Sequence, residues 1–68
     1  MTTPMTKAAR QHEIRTVLKT QKIRSQAELA EALEKRGVSV TQGTLSRDLV
    51  DIGATRIRDE TGQMIYHI

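Results

Sequence analysis

Four residues, Gly37-Val38-Ser39-Val40, separate the stop signal of one amphipathic segment from the start signal of the next, and this closeness constrains the fold more than any other feature. Upstream, Ser25-Gln26-Ala27-Glu28 has the S-x-x-E form of a capping box, in which the serine hydroxyl accepts from the third helical amide and the glutamate reaches back. Leu29, Ala30 and Leu33 then make an apolar stripe, while Glu31, Glu34 and Lys35 face water. Arg36 sits at the negative end of that helix dipole, and Gly37 is placed to end it in a left-handed conformation. Downstream, Thr41 is a good N-cap, Leu45, Leu49 and Ile52 recur at helical spacing, and Gly53 stops the helix. Two short helices joined by a glycine-bearing turn have the helix-turn-helix pattern, although bare helix pairs of this kind also serve many adaptors.

The flanks extend this pattern into a winged form. Residues 1–6 are polar and aperiodic and are expected to be a loose arm, which leaves residues 7–68 as one domain. Lys7 to about Gln21 reads as a first helix: Thr6 can cap it, Ile14, Val17 and Leu18 form its stripe, and Arg10, Arg15 and Lys19 occupy other faces. Ile23, isolated between Lys22 and Arg24, suits a single short strand pairing. After Gly53 the period changes to two. Ile57 alternates with Arg56 and Arg58, Asp59-Glu60-Thr61-Gly62 supplies a turn, and Met64, Tyr66 and Ile68 alternate with Ile65 and His67. The pattern predicts a hairpin with Ile57, Met64, Tyr66 and Ile68 on its inward face, packed on the helices because a lone hairpin is unstable in water. The predicted fold class is mainly α with a small β-hairpin, a winged helix-turn-helix of three helices and a two- or three-stranded wing sheet.

Composition removes several classes of function. At 68 residues there is room for one small core and no volume for a substrate pocket; paired carboxylates in an apolar setting, a nucleophile beside a base and a glycine-rich phosphate loop are all missing, so no enzyme is expected. With no cysteine, and with His12 and His67 near opposite ends, neither a disulfide nor a metal site is expected. No stretch approaches the roughly 18 apolar residues of a membrane span, and the expectation is a soluble, cytoplasmic chain with no membrane partner. The net charge is only +3, but it is unevenly spread: residues 1–24 hold six basic residues against Glu13 alone, while residues 25–68 hold five basic and seven acidic ones. A basic N-terminal third suits a polyanion, and a solvated helix face explains it equally well. Tyr66 is the only aromatic residue, so a stacking platform for single-stranded bases is excluded and a nucleic-acid partner would be duplex.

Residues 41–53, stepped round a helix at about 100° each, put Leu45, Leu49 and Ile52 on one side and Gly43, Ser46, Arg47 and Val50 across from them, with Gln42 and Thr44 on the flanks. Arginine offers a fork for guanine, glutamine can pair adenine, and serine or threonine can bond base or phosphate. The plainer alternative is an ordinary surface, with Arg47 and Asp48 as an exposed ion pair and Thr41 only a cap.

The stretches Ser25-Gln26-Ala27-Glu28-Leu29 and Gly37-Val38-Ser39-Val40-Thr41-Gln42-Gly43-Thr44-Leu45-Ser46-Arg47-Asp48-Leu49 resemble the N-terminal domain of the bacterial arginine repressor family. The likeness covers about residues 7–68, including the wing ending in Tyr66-x-Ile68, and corresponds to the first half of a typical member. It implies double-stranded, AT-rich operator DNA as partner and a repressor of arginine metabolism genes. The family's missing second half binds L-arginine as co-repressor and builds trimers and hexamers, so this domain alone is expected to carry no cofactor and to be monomeric. Carried over by position, the resemblance gives base contacts to Gln42, Ser46 and Arg47. It gives backbone contacts to Ser25, Gln26, Thr41 and Thr44, and Arg56 and Arg58 in the wing approach the adjacent groove or backbone. Lys7 and Arg10, from the basic segment, are further backbone candidates. Many members have alanine where this chain has Gly43. The remaining alternative is a winged-helix module that docks on protein through the same face.

Overall fold

The computed structural model describes residues 6–68. Three helices, α1 (Lys7–Thr20), α2 (Gln26–Lys35) and α3 (Gln42–Asp51), precede an antiparallel hairpin of β1 (Thr55–Arg58) and β2 (Met64–His67). Apart from Thr6, the arm expected over residues 1–6 lies outside the described residues.

Each helix starts where a side-chain oxygen replaces the missing intrahelical acceptor. Thr6 accepts from the Ala9 amide, Ser25 from Glu28 and Thr41 from Thr44. The α2 and α3 ends share one device. The Gly37 amide donates to the Glu34 carbonyl and the Val38 amide to Leu33, and Gly53 and Ala54 repeat this with Val50 and Leu49. This double closure needs a left-handed residue after the cap, and both glycines have it, at φ +81° and +75°. Val38 is thereby delivered into the core directly behind α2, which keeps the turn to α3 short.

The core is built from every element. Ile14, Val17 and Leu18 of α1 meet Leu29, Ala32 and Leu33 of α2, Leu45 and Leu49 of α3, Ile23 and Val38 from the connections, and Tyr66 of β2. On α2 the sequence pattern is off by a step: Ala32 is buried, and Ala30 only packs against the edge of the cluster. Ile23 forms no strand. Its buried side chain sits in the core, and its carbonyl accepts one hydrogen bond, 2.8 Å, from the Tyr66 amide.

The hairpin register corrects the expected inward face. Arg56 stands opposite Tyr66 and Ile57 opposite Ile65. Directly opposed residues of an antiparallel pair point to the same side, so Ile57 and Tyr66 lie on opposite faces. Tyr66 is the buried member. Ile57 and Met64 are each 39% exposed. Alternation along each strand was legible, but the relative phase of the two strands is set by the turn. Asp59 fixes that turn: its carboxylate accepts from the Thr61 hydroxyl (2.6 Å) and amide (2.9 Å) and the Gln63 amide (3.0 Å). These bonds, with the Thr61 hydroxyl foremost, lower its pKa to about 2.

The least expected core member is charged. Asp48, 1% exposed, receives a two-pronged hydrogen bond from Arg10 of α1, with Arg10 Nη2 at 2.9 Å from Oδ1 and Nε on Oδ2, and a longer one from Gln11 at 3.4 Å. The reading of Arg47 and Asp48 as an exposed pair is therefore wrong for Asp48, which faces α1. The Arg10 hydrogen bond holds the carboxyl below its ordinary value, against burial, which pushes it upward.

Removing Asp48 leaves Arg10 without its partner, so Asp48→Ala should lower unfolding free energy by about 2–3 kcal/mol in urea denaturation. Because the folded pKa is depressed, this stabilisation is present above the unfolded carboxylate value of about 3.9 and is lost as pH falls through the folded value. Acid unfolding of Asp48→Asn should accordingly show a shallower loss below about pH 4 than the parent chain.

Candidate nucleic-acid interface

The outward side of α3 is framed by two helix starts. Thr41 caps α3 with its hydroxyl oxygen 3.3 Å from the Thr44 amide, and it donates its own proton to the Thr44 hydroxyl at 3.0 Å. Thr44 thus keeps a proton to donate outward, beside the exposed Gln42 in the first turn. The second helix start reaches the middle of α3: the Ser46 hydroxyl donates to Gln26 Oε1 at 2.7 Å. Gln26 is the first residue of α2, so the Ser25 cap and the opening amides of α2 lie next to Ser46. The link leaves the amide protons of Gln26 and the lone pairs of Ser46 available. Six of the residues singled out in the sequence, Ser25, Gln26, Thr41, Gln42, Thr44 and Ser46, are thereby drawn into one surface.

Arg47 joins them from the next turn. It is 79% exposed and lies 3.4 Å from Asp51 one turn on, a distance at which the guanidinium is paired but not immobilised. Asp51 also takes Lys7 at 3.0 Å, and these two cations, Lys7 first, lower its pKa. Lys7 is therefore near the edge of the interface but tied to α3. Arg10, partly buried, turns its guanidinium inward to Asp48.

The wing arginines are separate from this cluster and differently held. Arg56 lies over the Tyr66 ring at 5.1 Å and donates to the Tyr66 hydroxyl at 3.2 Å, whereas Arg58 donates to the Gly62 carbonyl at 2.9 Å. Asp59 and Glu60, next in sequence to Arg58, are both engaged by a cation from outside the wing. Lys22 pairs with Glu60 and stands 3.6 Å from Asp59, tying the hairpin turn to the connection between α1 and α2.

Sequence reasoning missed Asp48, Asp51 and the pairing of Ser46 with Gln26. A signal existed for Asp48: positions 45, 48, 49 and 52 are spaced as one inward face, so a carboxylate at 48 points into the core and calls for a buried cation. Arg10 occupies the matching place on the stripe of Ile14, Val17 and Leu18.

A capped turn joining α2 to α3, with α1 behind and a hairpin alongside, defines a winged helix domain, a class that presents its third helix to duplex DNA. This chain belongs to the arginine repressor family: residues 5–68 match the family described as arginine repressor, DNA binding domain. Over 64 residues it is 41% identical to the arginine repressors of Streptococcus pyogenes serotype M6 and Streptococcus equi subsp. zooepidemicus, covering 94% of this chain and 44% of each of those proteins. The chain spans less than half the length of the curated relatives it matches. Its family is one of transcriptional repressors and not of enzymes. Among the described residues, no helix is long and apolar enough to cross a membrane.

Gly43 stands in the first turn of α3, and a Cβ built there meets nothing within 4 Å. Since glycine disfavours helix and the site has room, Gly43→Ala should stabilise the free domain by about 0.5 kcal/mol. A calorimetric melting temperature that does not rise would show that the first turn gains nothing from alanine.

Proposed function

We propose that this domain reads double-stranded operator DNA by laying α3 in the major groove, as the DNA-binding part of an arginine-responsive repressor of arginine metabolism genes. The observation that carries the reading is the single surface made by the α3 outward face and the start of α2, joined by the hydrogen bond from Ser46 to Gln26. Gln42, Ser46 and Arg47 reach base edges; Ser25, Gln26, Thr41 and Thr44 hold phosphate through hydroxyls, an amide and helix-start N–H groups. Arg56 and Arg58 follow the neighbouring backbone or minor groove. Lys7 contributes at the margin, exchanging Asp51 for phosphate. Arg10 was a candidate for the same role, but its engagement with Asp48 argues for a structural one.

The operators are AT-rich and palindromic, and the protein works in the cytoplasm, where the bacterial chromosome lies. L-arginine acts as co-repressor through the longer family protein, which assembles as trimers and hexamers, whereas this domain alone is a monomer.

Fluorescence anisotropy with an AT-rich palindrome and its scrambled version, each at two salt concentrations, tests the reading. The palindrome should bind more tightly, with log affinity falling by about 0.9 per phosphate contact for each decade of salt. Arg47→Ala should remove about 1–3 kcal/mol from palindrome binding and relax the preference at one base pair. Equal, salt-insensitive binding to both duplexes would overturn the proposal in favour of a protein-docking surface.

A further inference from the structure

Val50 is 73% exposed, well beyond any other large apolar side chain among the described residues. Its place on α3 is more telling than its exposure. At about 100° per residue, Val50 projects between Ser46 and Arg47, within about 20° of Gly43, and so occupies the centre of the outward face. Every neighbour on that face is polar or lacks a side chain. The fold does not account for the valine: it is neither a member of the buried cluster nor sheltered by it, and a β-branched side chain is a poorer helix former than the lysine or glutamate usual at a solvated position. Two turns earlier on the same line, the open space at Gly43 removes the side chain that would hold the helix away from an apposed surface.

Thymine is the one base that offers a methyl group in the major groove, and an apolar side chain reads it by contact. We propose that Val50 is a specificity-determining residue that packs its γ-methyls against a thymine methyl. The inference rests on the reading that α3 lies in the major groove. It adds an apolar contact to the polar ones of Gln42, Ser46 and Arg47, and it fixes a position. Val50 is three residues beyond Arg47, a rise of about 4.5 Å, against about 3.4 Å per base pair, so the thymine lies one or two base pairs from the pair that Arg47 contacts.

The test starts from a duplex selected by this 68-residue chain out of a random-sequence library. Each thymine is then replaced singly by deoxyuridine, which deletes the methyl and leaves pairing intact. Burial of one methyl corresponds to about a fourfold change in affinity. The expected result is one sensitive thymine, within two base pairs of the position relaxed by Arg47→Ala, where deoxyuridine weakens binding about fourfold. Val50→Ala, which favours the helix and so keeps the fold, should bind the thymine and deoxyuridine duplexes alike. Val50→Thr, which retains one methyl, should show an intermediate ratio. Circular dichroism of both variants should match the parent. A flat deoxyuridine scan on a duplex still bound selectively and salt-dependently overturns the methyl contact and leaves the groove reading standing. Undiminished discrimination by Val50→Ala also overturns it, since another residue then senses the methyl. If the library yields no preferred sequence and Arg47→Ala changes nothing, the groove reading fails and the Val50 contact falls with it.

Discussion

The carboxylate of Asp48 is inside the protein, and the guanidinium of Arg10 meets it there. An isolated charge at that depth is strongly unfavourable, so the pair constrains geometry as well as charge: α1 and α3 must sit where a planar fork and a planar carboxylate can face each other. Aliphatic contacts between the same two helices would tolerate sliding and rotation. The paired plane does not. The rotation of α3 about its own axis is thus fixed from behind, and with it the direction in which Ser46, Arg47 and Val50 project. The interface on one side of α3 depends on an ion pair on the other.

Much of this architecture was legible because it rests on local rules. Capping hydroxyls at Thr6, Ser25 and Thr41, glycines at 37 and 53, and the helical spacing of leucines each act within one turn, and all three helices begin where those signals stand. The hairpin was legible as an alternation but not in phase. Whether Ile57 shares a face with Tyr66 depends on how many residues the turn consumes, which the Asp59 side chain decides through bonds to residues two and four positions on. The interface was legible as a list of side-chain types on a helix wheel. Its internal links were not: Ser46 with Gln26, twenty residues apart, and Arg10 with Asp48, thirty-eight apart, are products of tertiary packing. Treating Arg10 as one more basic residue overlooked its position on an apolar stripe.

The wing is secured by chemistry of several kinds at once. One backbone hydrogen bond joins Tyr66 to Ile23, the tyrosine ring enters the core, and Lys22 holds the acidic turn. A two-stranded hairpin has little stability of its own, and two of these three attachments run to the same short segment between α1 and α2. The wing is thereby anchored at its turn and at β2 to the connection that follows α1.

The ion pairs also change where the positive charge of the chain is concentrated. Of the six cations in the basic N-terminal third, Lys7, Arg10 and Lys22 are matched by carboxylates of the opposite end of the chain, leaving Arg15, Lys19 and Arg24 with none within 4 Å among the described residues. A polymer of phosphates seen from afar meets the net charge of +3, with little of it concentrated on the N-terminal third. Attraction of that kind governs how long a protein lingers on arbitrary DNA, and a chromosome supplies such sites in enormous excess. Half of the basic segment is matched by the domain's own carboxylates, so on the proposed reading discrimination between sequences falls to fit at close range.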